Sequence, residues 1–181
     1  MRGAHLLTCL VLLVAGCDQR RPPEAAPTER TYDNPALGVS FLVPAAWVDD
    51  AEGAAVVVAG RPGTPDFFTT LTLQAGPVGA GDAADLERVL AASWAHVASD
   101  EPPYIVARVP TLAGGLPALR YLVAFDLHER PRLRAGLLLS HGASVIDLGY
   151  VAPRELFTQG LPVFERAVDT LTLAPPDGGE P

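Results

Sequence analysis

The chain has 181 residues, 49% of them hydrophobic, and carries 13 basic against 21 acidic side chains for a net charge of −8. A surface of that sign repels phosphate backbones and anionic headgroups, which argues against a nucleic-acid partner. Every basic residue is arginine, so catalysis through a lysine Schiff base and a P-loop lysine are both excluded.

Met1 and Arg2 precede an apolar run from Leu6 to Val14, broken only by Thr8 and Cys9, and the small residues Ala15 and Gly16 follow. This is the pattern of a short secretory signal over residues 1–16. A membrane-spanning helix needs about 18 to 20 apolar residues, more than this run supplies. The stretch Leu13-Val14-Ala15-Gly16-Cys17 resembles the lipobox of bacterial lipoproteins, with Val14 where that family most often has leucine. The resemblance implies cleavage between Gly16 and Cys17, a diacylglyceryl group on the Cys17 thiol and usually an acyl group on its amine. Each buried CH₂ contributes about 0.8 kcal/mol, so one chain holds marginally and two or more hold stably. The implied product is a protein anchored in the bacterial cell envelope through lipid on Cys17, its domain facing the periplasm. Asp18 resembles an inner-membrane retention signal, a rule that varies between lineages, so inner and outer membrane both stay open. Loss of residues 1–16 leaves Cys17 as the only cysteine, which rules out a disulfide within the mature chain.

Residues 17–30 hold the cysteine and a Pro-rich polar stretch, DQRRPPEAAPTE over Asp18 to Glu29. It reads as a tether leaning towards polyproline II, with a reach of at most ~40 Å at ~3.1 Å per residue. A single globular domain is expected over residues 31–174, with a frayed tail over 175–181. Thr31 to Pro35 is turn-rich, and Val39, Phe41 and Val43 then alternate as a half-buried strand ended by Pro44. Trp47 follows in a turn and is expected to pack on the core. Ala54 to Ala59 is a second strand. Phe67 to Ala75 alternates again, with Thr69, Leu71 and Leu73 on one face and a wetter face of Thr70, Thr72 and Gln74.

After a Gly76 to Gly81 loop, Asp82 is placed to cap a helix over Ala83 to Ala98. Leu86, Val89, Leu90, Ser93, Trp94 and Val97 form its apolar stripe, with His96 at the flank. Strands are expected over Tyr104–Val109, Leu116–Leu127, Leu133–His141 and Ser144–Val151, joined by hairpins at His128 to Arg132 and at His141 to Ala143. On the second of these, Leu119, Tyr121, Val123, Phe125 and Leu127 share one face, while Arg120, Leu122, Ala124 and Asp126 share the other. A last helical segment opens near Pro153 and Glu155, is interrupted near Gly160, and carries Pro162 in the first turn of its main part.

This order resembles the Mog1/PsbP/DcrB superfamily. The resemblance rests on Gly38-Val39-Ser40-Phe41-Leu42-Val43-Pro44-Ala45-Ala46-Trp47, on Gly115-Leu116-Pro117-Ala118-Leu119-Arg120-Tyr121, and on a terminal helix ending in Asp169-Thr170-Leu171. It implies an α+β fold, an antiparallel sheet of about six to seven strands with helices packed on its faces. Members assist photosystems, bind a small GTPase or chaperone secretion effectors, mostly by protein contact. The superfamily has no universal catalytic motif to carry over.

Ser140 and His141 are strand neighbours and point to opposite faces, and no G-x-S-x-G elbow exists. His96, His128 and His141 are far apart in sequence and show no paired metal-ligand spacing, so no metal and no cofactor is expected. Gly76 to Gly81 and Gly114-Gly115 read as turns. Arg120, Asp126, His141 and Asp147 are expected to meet on the second sheet face, either as a buried ion-pair network or as a small polar pocket that takes an anion at Arg120. Two functions follow: a non-catalytic binding or accessory module contacting an envelope protein, or a small-ligand receptor or enzyme using that pocket.

Overall fold

A computed structural model describes residues 28–50, 56–60, 68–77, 83–95, 102–127, 129–142 and 144–175. The signal segment, Cys17, the tether up to residue 27, Asp82, His96 and His128 lie outside the described residues. The strands are β1 Glu29–Asn34, β2 Val39–Pro44, β3 Val48–Asp50, β4 Val56–Ala59, β5 Thr70–Pro77, β6 Tyr104–Ala113, β7 Leu116–Leu127, β8 Arg130–His141, β9 Ser144–Pro153 and β10 Thr172–Leu173. Two helices, α1 Ala83–Trp94 and α2 Phe157–Asp169, interrupt them.

Seven strands form one antiparallel sheet in the order β3-β4-β5-β9-β8-β7-β6, and β1, β2 and β10 form a second. The alternation of Val39, Phe41 and Val43 turns all three into the core. Opposite them stand Leu137, Leu139, Ile146, Leu148 and Tyr150 of β8 and β9, together with Phe164 and Ala167 of α2. On the other face of the large sheet, Leu86 and Leu90 of α1 close over Leu119, Tyr121, Val123, Leu138 and Val145. The molecule is therefore an α+β sandwich with helices on both faces, as the resemblance to the Mog1/PsbP/DcrB superfamily implied. Trp47 is buried in the core.

Several boundaries differ from expectation. The domain begins at β1, so Glu29 and Arg30 belong to a strand and not to the tether. Thr31 to Asn34, expected as a turn-rich lead-in, pair with Leu42 to Val39. The local cue of Asp33-Asn34-Pro35 was overridden by a neighbouring strand that satisfies their backbone groups. The β7–β8 hairpin is tighter than expected, since Leu127 pairs with Arg130 and Glu129 turns with φ of 61°.

The last helix is continuous through Gly160 and Pro162. Its glycine is there for space and not as a break: a Cβ at Gly160 would stand 2.2 Å from the Tyr150 hydroxyl. That hydroxyl donates to the Phe157 carbonyl at 3.3 Å, and burial pushes its pKa up to about 12. Pro162 lies in the second turn, where its missing N–H removes one bond near the helix start and the ends of the helix remain supported by packing.

Candidate functional site

The large sheet carries a polar network under its α1 face. One cross-strand row runs Thr72, Gly149, Gly136, Tyr121 through β5, β9, β8 and β7. The two glycines in the middle of that row leave a trough. The Tyr121 ring lies over Gly136, where a Cβ would stand 2.0 Å from the ring, and the Arg134 guanidinium lies over Gly149, where a Cβ would stand 2.2 Å away. Glycine inside a strand marks such a close approach of another group to the backbone.

Arg134 is only 7% exposed and uses its whole fork. Its Nε donates to the Tyr121 hydroxyl at 2.8 Å, one terminal nitrogen donates to Thr72 Oγ1 at 2.8 Å, and the other donates to Asp147 Oδ2 at 2.8 Å. The Tyr121 hydroxyl lies 2.8 and 3.0 Å from the two Asp147 oxygens and donates its hydrogen bond to that carboxylate. Burial, reinforced by the Asp147 charge, holds the Tyr121 hydroxyl far above the usual phenol range. Burial pulls against the Arg134 charge, but Asp147 and Tyr121 outweigh it and raise the guanidinium above its ordinary value. Both groups therefore keep their protons at any physiological pH. They supply fixed hydrogen bonds and charge, and neither is poised for acid–base catalysis.

Beside the network a cavity of about 370 Å³ opens between α1 and the sheet, lined by Gln74, Gly76, Val89, Ser93, Val145 and Asp147 among others. Both Asp147 oxygens already accept hydrogen bonds from Tyr121 and Arg134.

The four residues expected to share one face do not meet. Arg120 faces α2, where it donates to Glu165 at 2.7 Å. Asp126 is on that same face but six residues further along β7, about 20 Å away at strand rise. His141 is at the far end of β8, paired with Ser144, and lines a cavity of about 250 Å³ with Pro35 and Gly38. Asp147 is on the opposite face with Arg134. The register decides this: Asp147 pairs with Leu138, an α1-side residue, so its side chain shares the face of Tyr121 and not that of Arg120. An ion-pair network does lie under α1, but it joins Asp147 to Arg134 and Tyr121 and contains none of Arg120, Asp126 or His141. The available signal was a charged residue inside the apolar run Leu133 to Leu139, with Gly136 and Gly149 in neighbouring strands. Among the described residues no group of His, Cys, Asp and Glu is arranged to hold a metal ion, and no helix is long and apolar enough to cross a membrane.

The chain folds as a seven-stranded antiparallel sheet with a small three-stranded sheet and one helix on one face and a second helix on the other, a PsbP-like fold. No protein-family model and no curated protein sequence matches the chain. Solved structures do. The chain is similar to the cyanobacterial PsbP protein CyanoP of Synechocystis, with a TM-score of 0.61 at 13% identity over 81% of this chain and 93% of that one. It is also similar to PA94 of Pseudomonas aeruginosa, a protein of unknown function, with a TM-score of 0.59 at 14% identity over 83% of this chain and 100% of that one. LpqN of Mycobacterium tuberculosis, described as involved in cell envelope biogenesis, gives 0.56 at 13% identity over 83% of this chain and 88% of that one. At these identities the likeness is one of fold.

Proposed function

We propose that the mature protein is an envelope lipoprotein, anchored through lipid on Cys17, whose domain serves as a non-catalytic binding or accessory module for another envelope protein. The observation that carries this reading is β6. It is the ten-residue edge strand of the large sheet. Tyr104, Val106, Val109 and Leu112 on it are 69%, 47%, 57% and 71% exposed. Exposed apolar side chains gathered on one long edge are a liability unless a partner covers them.

The strand also suggests how the partner binds. The pairing of this strand with β7 shifts register between Ile105 and Ala107, and Pro110 has no N–H to offer, so its backbone is not a regular ladder along its length. A partner therefore meets side chains and does not add a long strand. The PsbP-like fold and the envelope role described for LpqN support this reading.

A photo-cross-linking residue at Val109, in the chain as it sits in the cell, is expected to give one discrete adduct that Leu112→Asp abolishes. Adducts that are absent, or that Leu112→Asp leaves unchanged, remove the reading. The anchor is tested separately: Cys17→Ser is expected to abolish lipid labelling and to move the protein out of the detergent phase in which the native chain partitions. Unchanged labelling and partitioning would sink it.

A further inference from the structure

Among the described residues six arginines reach a carboxylate: Arg30, Arg88, Arg108, Arg120, Arg134 and Arg166. The remaining three, Arg130, Arg132 and Arg154, do not, and they stand together at one end of the large sheet. Arg130 and Arg132 line a cavity of about 410 Å³ with Phe68 and Leu156, and Arg132 and Arg154 line a second with Tyr104 and Asp126. The Arg154 N–H donates to the Pro131 carbonyl at 3.2 Å, which ties the ends of β8 and β9 together. Arg132 donates to the Phe68 carbonyl at 3.1 Å, yet its buried Nε has no partner. Asp126, Glu129 and Glu155 lie at the same end, and none forms an ion pair with these arginines. In a chain with this excess of acid, three arginines left without carboxylates in one place call for an anion from outside.

The path of the chain says which anion. The Thr28 carbonyl accepts from the Ala45 N–H at 3.0 Å. Ala46 and Leu156 share one cavity wall, and Leu156 shares the next with Arg130 and Arg132. The covalent path back to Cys17 therefore leaves the domain at the arginine end. Residues 17–27 span at most about 40 Å even when extended. Phe68 and Leu127, 50% and 40% exposed, flank the arginines.

We propose that this end of the domain is a membrane-docking surface, on which Arg130, Arg132 and Arg154 take the phosphates of anionic phospholipid headgroups while Phe68 and Leu127 enter the interfacial layer. The proposal rests on the reading of Cys17 as the anchor. Guanidinium matches phosphate with parallel charge-assisted hydrogen bonds. Each arginine near an anionic surface strengthens binding about fivefold. Charges beyond a Debye length of about 10 Å are screened from the membrane. Within this end Asp126, Glu129 and Glu155 match the three arginines in number, so attraction rests on the guanidinium–phosphate hydrogen bonds and not on net charge. A lipid anchor turns such weak contacts into intramolecular ones. The docked orientation turns Leu112, at the opposite end of the sheet, towards the partner side.

The test uses the native mature protein mixed with vesicles of phosphatidylcholine alone or with phosphatidylglycerol. Because the mature chain has no other cysteine, Leu127→Cys and Leu112→Cys each accept one nitroxide. Flotation reports the anchor, and exposure of the nitroxide to a water-soluble relaxant reports docking. Flotation with both vesicle types, with the label at 127 shielded only on phosphatidylglycerol and the label at 112 exposed on both, supports both readings. Flotation with both and exposure of both labels keeps the anchor and overturns docking. Flotation with phosphatidylglycerol alone overturns the anchor and supports docking if 127 is shielded there, while an exposed 127, or flotation with neither, overturns both. Arg130→Gln with Arg154→Gln, two side chains that bond to no other side chain among the described residues, is expected to abolish the shielding without changing the circular dichroism. Shielding that survives this pair of substitutions also overturns docking.

Discussion

Replacing Arg134 by methionine is expected to lower the unfolding free energy by about 3 to 5 kcal/mol, the cost of leaving a buried charge without its partner. The substitution strands Asp147 and takes away the donor to Tyr121 and Thr72 at once. Asp147 keeps a fifth of its side chain in solvent, which places the value nearer the lower bound. Adding Asp147→Leu and Tyr121→Phe to Arg134→Met should recover most of the loss, because a buried ion pair replaced as a unit by apolar groups is often neutral or better. Urea denaturation of the single and triple variants measures both. A single-variant cost below about 1 kcal/mol, the worth of an exposed pair, would show that the network does not hold the sheet.

Gly136→Ala is the second large effect, and its sign is set by packing. An alanine in place of glycine at an unstrained position usually stabilises by about 0.4 to 1 kcal/mol through the unfolded chain. At residue 136 the new methyl would stand 2.0 Å from the Tyr121 ring, and the ring is pinned by its bonds to Asp147 and Arg134. Overpacking of that kind costs about 1 to 3 kcal/mol, so a net loss of stability is expected. Tyr121→Leu in the same chain clears the overlap. If thermal melts show Gly136→Ala unchanged or stabilised, the ring does not occupy the trough.

These two residues mark where the sequence ran out. The period of two in Val39 to Val43 and the helical spacing of Leu86, Val89 and Leu90 are local properties, and they place β2, α1 and the core faces without reference to anything distant. β7 was legible for the same reason, with both of its faces assigned correctly. β1 was not, because Thr31 to Asn34 form a strand only where β2 is present to pair with them. The break expected near Gly160 failed for a related reason: the glycine answers to Tyr150, ten residues earlier and on a different element.

The candidate site shows the same division more sharply. Arg120, Asp126, His141 and Asp147 were each on the strand expected of them, but a shared face across three strands depends on register, and a shift of one residue moves a side chain to the other side of the sheet. Sequence by itself determined the composition, the apolar periodicities, the α+β order of elements and the lipobox-like stretch ending at Cys17, since each is written in neighbouring residues. Tertiary structure alone decided that Asp147 belongs with Arg134 and Tyr121, that Arg120 belongs with Glu165, and that Arg130, Arg132 and Arg154 gather at one end of the sheet without a carboxylate partner among the described residues. Pairing between distant strands and the lateral fit of side chains over glycine have no local code; they exist only once the whole sheet has closed.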